Sequence, residues 1–152
     1  YDRGHMAPAG DMKWDKQAMQ ESFYMSNICP QDHNLNKGDW NDLEIKTREW
    51  ARRYGKAYVV CGPIYQKGKN IKYIGNNRVA VPHAFFKAIL IYQKNKPMTM
   101  GFYFENKAGH QSLKDYLVSI DELETMTDMD FFSLLPDEIE DDIEKKVVDK
   151  LP

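Results

Sequence analysis

A chain of 152 residues, 12% of them aromatic, can bury a real core in one domain, which excludes a disordered tail and a disulfide-stapled miniprotein. The net charge of -2 hides an asymmetry: residues 1–110 carry 17 Lys and Arg against 10 Asp and Glu, while residues 111–152 carry 4 against 13. The first stretch suits a surface that faces a polyanion, and the second an acidic segment held away from it.

Tyr1 to His5 reads as the end of a strand running into a loop. Trp14, Ala18, Met19 and Phe23 recur at helical spacing, so a helix is expected there. Tyr24–Ile28 reads as a short strand stopped at Cys29-Pro30, since proline cannot donate to a ladder. Trp40, Leu43, Thr47, Trp50 and Tyr54 then form one apolar stripe on a long helix, with Asp39 as N-cap and Gly55 as stop. From Ala57 the period falls to two. Tyr58–Cys61, Ile64–Gln66, Ile71–Ile74, Arg78–Val81, Ala88–Tyr92 and Met98–Glu105 read as strands between Gly-, Asn- and Lys-rich turns. Ser119-Ile120-Asp121-Glu122 has capping-box form and starts a short helix. Phe131, Phe132, Leu134 and Leu135 are expected to tuck into the core. Residues 137–152 read as a solvated acidic helix. The whole is α+β with a mainly antiparallel sheet in a single domain over 1–152. No run approaches the roughly 18 apolar residues of a membrane span. Cys29 and Cys61 allow at most one bridge and fit no metal-ligand spacing.

Four residues in the first 48 carry chemistry. His5 titrates near neutrality and can take a proton from water. Asn36, in a polar stretch before the long helix, offers an oxygen that suits Mg²⁺. Glu44 and Arg48 lie four apart on that helix, so their side chains can meet. Arginine adds a pair of planar donors for phosphate oxygens. Taken singly these are a surface histidine, a turn asparagine and a solvated pair worth under about 1 kcal/mol.

The ordered strings decide between these readings. Asp2-Arg3-Gly4-His5-Met6-Ala7-Pro8-Ala9 resembles the DRGH signature of the DNA/RNA non-specific endonuclease family, which has the ββα-metal (His-Me finger) fold and includes endonuclease G. Asp11-Met12-Lys13-Trp14, Phe23 to Ile28, Pro30-Gln31, Leu35 to Trp40, Gly62 to Tyr65, Val81 to Lys87, Ser119 to Glu124 and Asp130 to Phe132 are similar to family segments in the same order. The resemblance implies that His5 is the general base and that Asn36 binds Mg²⁺, with Mn²⁺ as a substitute. It implies that Glu44 reaches the metal through water and that Arg48 stabilises the phosphate. Arg3 is implied as a catalytic or substrate contact, and Asn27 as a supporting or substrate-binding asparagine. It also implies that the domain is N-terminally truncated here, because family domains extend upstream of DRGH.

The expected activity is endonucleolytic cleavage of DNA and RNA backbones without sequence preference. A nucleic-acid-binding module without turnover and a small-molecule phosphodiesterase stay open as alternatives, and a homodimer is allowed. Secretion or a periplasmic location is expected ahead of the cytoplasm, with an organelle as the other option. Any targeting segment would lie upstream of Tyr1.

Overall fold

A computed structural model of residues 1–152 shows an α+β fold in which every strand pair is antiparallel. The elements are β1 (Asp2–His5), α1 (Lys16–Glu21), β2 (Ile28–Gln31), α2 (His33–Lys37), α3 (Asp39–Tyr54), β3 (Ala57–Ile64), β4 (Lys72–Ile74), β5 (Val79–Val81), β6 (Ala84–Gln93), β7 (Lys96–Glu105), β8 (Leu117–Val118), α4 (Ile120–Thr127) and α5 (Asp137–Glu144). The main sheet has the order β3-β6-β7-β8, and β1-β2 and β4-β5 form separate pairs. No helix is long and apolar enough to cross a membrane.

The core lies on both faces of the sheet. Trp40, Leu43 and Trp50 on α3 pack against Phe85, Ile89, Ile91, Met100, Phe102 and Phe104. On the opposite face Ile120, Leu123 and Phe131 cover Ala84, Phe86 and Ala88. Strand β6 is therefore buried on both sides, with its odd and even positions feeding different cores. Gly101 on β7 is required by close approach, because a Cβ there would meet the Val118 carbonyl oxygen at 2.7 Å.

Several local expectations change. The first helix is only Lys16–Glu21, capped by Asp15, and Trp14 and Phe23 lie exposed at its flanks. The second strand is Ile28–Gln31 and contains Pro30; residues Met25–Asn27 form a 3-10 turn instead. Pro30 is tolerated because β2 has only β1 as neighbour, which leaves an edge where no N–H is needed. Gly62-Pro63 does not interrupt the sheet: β3 runs through it to Ile64 and pairs only with β6. Gln66 lies beyond the strand. Leu134 is fully exposed, whereas Phe131 is buried.

Helix α3 is capped by Gly38, and Asp39 is its first residue. Asp39 is buried and accepts from His110 Nδ1 at 2.6 Å, from the Gln111 amide at 3.1 Å and from the Tyr116 hydroxyl. The helix stops at Gly55 in the left-handed conformation, φ 86°, which glycine adopts without strain. The Ser119–Glu122 capping box is present in both directions.

The small β1-β2 pair is tied to the sheet by side-chain hydrogen bonds. Asn106, just past β7, donates to the carbonyls of Pro30 at 3.0 Å and Pro82 at 2.9 Å, and accepts from the Asp32 amide at 2.7 Å. Because Leu43 is fully buried where α3 meets the sheet, Leu43→Ala is expected to cost about 2–5 kcal/mol. In urea unfolding the midpoint should fall with the slope unchanged.

Candidate active site

The end of β1, the loop that follows it, α2 and α3 enclose a polar cleft of about 390 Å³ lined by His5, Pro8, Ala9, Gly10, Asn36, Lys37, Asn41, Glu44 and Arg48. Four of the expected site residues, His5, Asn36, Glu44 and Arg48, thus meet on one surface. Lys37 and Asn41 join them and were not singled out in the sequence.

His5 ends β1, paired with Ile28. The ring of Phe23 stands edge-on to its imidazole, with centroids 4.6 Å apart at 90°. Burial pushes its pKa below the ordinary histidine value, while a hydrogen bond with the Arg3 backbone opposes that shift. Nε2 is buried and has no hydrogen-bond partner. Glycine precedes it for a steric reason: a Cβ at Gly4 would sit 2.2 Å from Gln31 Oε1, so the buried Gln31 side chain crosses the space that glycine leaves.

Asn36 lies on α2, whose cap Asp32 accepts from the Asn34 and Leu35 amides at 2.9 and 3.2 Å. Its Nδ2 donates to Asp2 Oδ2 at 2.9 Å, while His33 Nδ1 sits 3.0 Å from both Asp2 oxygens. These hydrogen bonds, His33 first and Asn36 second, hold the Asp2 carboxyl below the usual carboxylate range. With its N–H side spent on Asp2, Asn36 presents a carbonyl oxygen, the ligand a hard divalent cation prefers. The donor set therefore fits a metal of that class, with Glu44 as the nearby carboxylate. Asp2 was missed as a site residue even though it opens the DRGH string, because a supporting carboxylate has no spacing signature of its own.

Glu44 and Arg48 do not pair with each other. Lys87 Nζ donates to Glu44 Oε1 at 3.5 Å, and Arg48 Nη1 donates to Asp11 Oδ1 at 2.8 Å. Lys87 comes from the centre of β6; its side chain is 2% exposed and its ammonium sits 4.3 Å from the Trp40 ring centroid. Burial raises the Glu44 pKa, and Lys87 is the strongest influence pulling it back. Lys87 was also missed, since a lysine inside an apolar strand gives no hint of which partner it will meet.

Two expected residues stand elsewhere. Arg3 is exposed, makes no ion pair and lies outside the residues lining the cleft. Asn27 spends its whole amide on backbone: Nδ2 donates to the Ala7 and Ser22 carbonyls, both at 2.8 Å, and Oδ1 accepts from the Ala7 amide at 2.9 Å. It braces the loop after His5 and has no donor left for substrate.

A strand pair followed by a helix, with histidine at the end of the first strand and an asparagine beside the helix, matches the ββα-metal fold. The family comparison agrees. The DNA/RNA non-specific endonuclease family matches residues 1–138, and the chain belongs to that family. It is 40% identical to the mitochondrial nuclease EXOG of Xenopus laevis over 147 residues, covering 88% of this chain and 41% of that protein. It is 36% identical to the mitochondrial endonuclease G of Homo sapiens over 135 residues, covering 82% of this chain and 46% of the relative. The chain thus spans less than half the length of these curated relatives. A crystal structure of the EndoG/EndoGI complex superposes with a TM-score of 0.83 at 31% identity, covering 91% of this chain and 61% of that one.

Removing Lys87 while keeping Glu44 would strand a buried charge, so Lys87→Met is expected to destabilise by about 3–5 kcal/mol. The double variant Lys87→Met with Glu44→Gln should recover most of that loss in chemical denaturation.

Proposed function

We propose that this chain carries the catalytic centre of a metal-dependent endonuclease that hydrolyses DNA and RNA backbones without sequence specificity. The observation that carries this reading is that His5, whose Nε2 has no hydrogen-bond partner, and Asn36 line one polar cleft. Family membership supports nuclease chemistry, and the names of the relatives describe nucleases.

In this reading His5 is the general base. Its partial burial favours the neutral ring, and Nε2 has no hydrogen-bond partner to occupy it. Water loses that proton to His5 as its oxygen bonds to phosphorus. The P–O3′ bond breaks, leaving a 5′-phosphate and a 3′ oxygen that takes a proton from solvent. Asn36 would hold Mg²⁺, or Mn²⁺ in its place, directly, with Glu44 acting through water. When bound, the cation supplies positive charge to the phosphate and leaving oxygens. Asp2 fixes the Asn36 amide so that its oxygen faces outward, a positioning role. Asp11 fixes one edge of the Arg48 guanidinium, and its remaining N–H groups can meet non-bridging phosphate oxygens. Such contacts read the backbone and carry no base information. Exposed Arg3, one strand period from His5 and outside the cleft lining, would meet flanking phosphates rather than the reacting one. The mitochondrial names of the relatives support an organelle over secretion or a periplasm as the working compartment.

Plasmid DNA and RNA should both be degraded by the full-length protein with Mg²⁺, and chelation should stop it. His5→Ala should lower turnover by about 10²–10⁴-fold while nucleic-acid affinity changes little. Intact substrates under several divalent metals, or equal loss of turnover and affinity in His5→Ala, would refute the enzyme. Since the lowered His5 pKa keeps the base unprotonated further into acid, the acid limb of kcat/KM should lie below about 6.5. Asp2→Ala should weaken divalent-metal affinity about 10–100-fold with the melting curve preserved; metal affinity unchanged in that variant would remove Asp2 from the site.

A further inference from the structure

Away from the cleft, the two C-terminal helices bring carboxylates together without a balancing cation. Asp121 and Glu124 stand one turn apart on α4, Glu144 closes α5, and each presents an oxygen within 4.8 Å of the others. Acidic crowding alone would mean little. Here, however, Glu144 is only 5% exposed, and its Oε1 is buried with no hydrogen-bond partner. Oε1 of Glu140, one turn earlier, is buried and unpartnered as well. A carboxylate buried in this way keeps a proton or meets a cation. No lysine or arginine pairs with it: the ion pair in this segment joins exposed Asp142 to exposed Lys146, just past the end of α5.

The carboxylate set fits a cation: calcium takes about 6–8 oxygen ligands in flexible geometry, whereas magnesium keeps several waters and is usually held by one or two carboxylates. Glu124 can serve two ends, since its Oε1 accepts from the Phe131 amide at 2.7 Å and leaves the second oxygen available.

We propose that Asp121, Glu124 and Glu144 form a site for a divalent cation of the calcium class, which clasps α5 onto α4. The clasp would hold α5 where Thr99 of β7 already donates to the Ile143 carbonyl at 3.1 Å. It would also join α4 to the segment leading to Phe131, whose ring packs on Phe86 of the core. The site shares no residue with the cleft, so it stands or falls separately from the nuclease reading.

The test uses full-length protein carrying Asn36→Ala, which removes the cleft's own metal ligand, and titrates it with calcium chloride. One calcium should bind calorimetrically, and melting should rise by roughly 5 °C or more at hundredfold excess over Kd. Magnesium should bind more weakly. Adding Glu144→Gln, which preserves shape and removes charge, should abolish both signals, and the variant should melt in chelator no lower than its parent. If Glu144→Gln does not fold, Asp121→Asn decides by the same two readouts. Absence of heat and of a melting shift up to millimolar calcium, the weak end of natural calcium sites, overturns the proposal. So does undiminished binding in the substituted proteins.

Discussion

Lys87 sits where the core and the cleft share a wall, and the structure is built around keeping its ammonium satisfied. Its aliphatic stem fills a position on β6 between Phe85 and Ile89, on the face that α3 covers. Its charge rests against the Trp40 ring and Glu44, two residues of that same helix. A buried ammonium is costly unless paired, so α3 has little freedom to rotate or slide on the sheet. That fixes Glu44 at the cleft, and Arg48, one turn on, follows because it is on the same rigid element. The packing that makes the protein fold is therefore the packing that sets the register of its site.

The β1-β2 pair depends on the sheet in a different way. Its two strands are four residues each and too short to be stable alone. Asn106 ties it down from β7, Asn27 closes the loop that leaves His5, and Asp2 reaches across to α2. Each is a polar side chain spent on backbone or on another site residue. The result is a preorganised amide and imidazole whose supports lie outside the cleft itself, which is how precise sites are usually held.

The charge asymmetry has a structural counterpart. The cleft carries Lys37 and Arg48 in its lining, whereas the acidic C-terminal third folds into α4, α5 and the segment between them. The acidic helix is not simply solvated, however, because its last residue is buried among other carboxylates. An amphipathic pattern alone would have put that glutamate in water.

Residue order alone determined much of this protein. The apolar stripe from Trp40 to Tyr54 announced α3, the two-residue period announced an antiparallel sheet, and the DRGH series announced the family with His5 and Asn36 in it. These signals are legible because helix and strand periods and short motifs are local properties of the chain. What the tertiary structure decided was partnership. Glu44 and Arg48, four apart on a helix, could have paired, but Lys87 and Asp11 lie closer in space. Asp39 could have capped its helix, but His110, Gln111 and Tyr116 arrive from more than 70 residues away. Arg3 sits within the motif yet outside the cleft, and Asp2, two residues before Gly4, carries the link to Asn36. Burial and hydrogen-bond choice depend on which distant segments meet, and only the folded chain settles that.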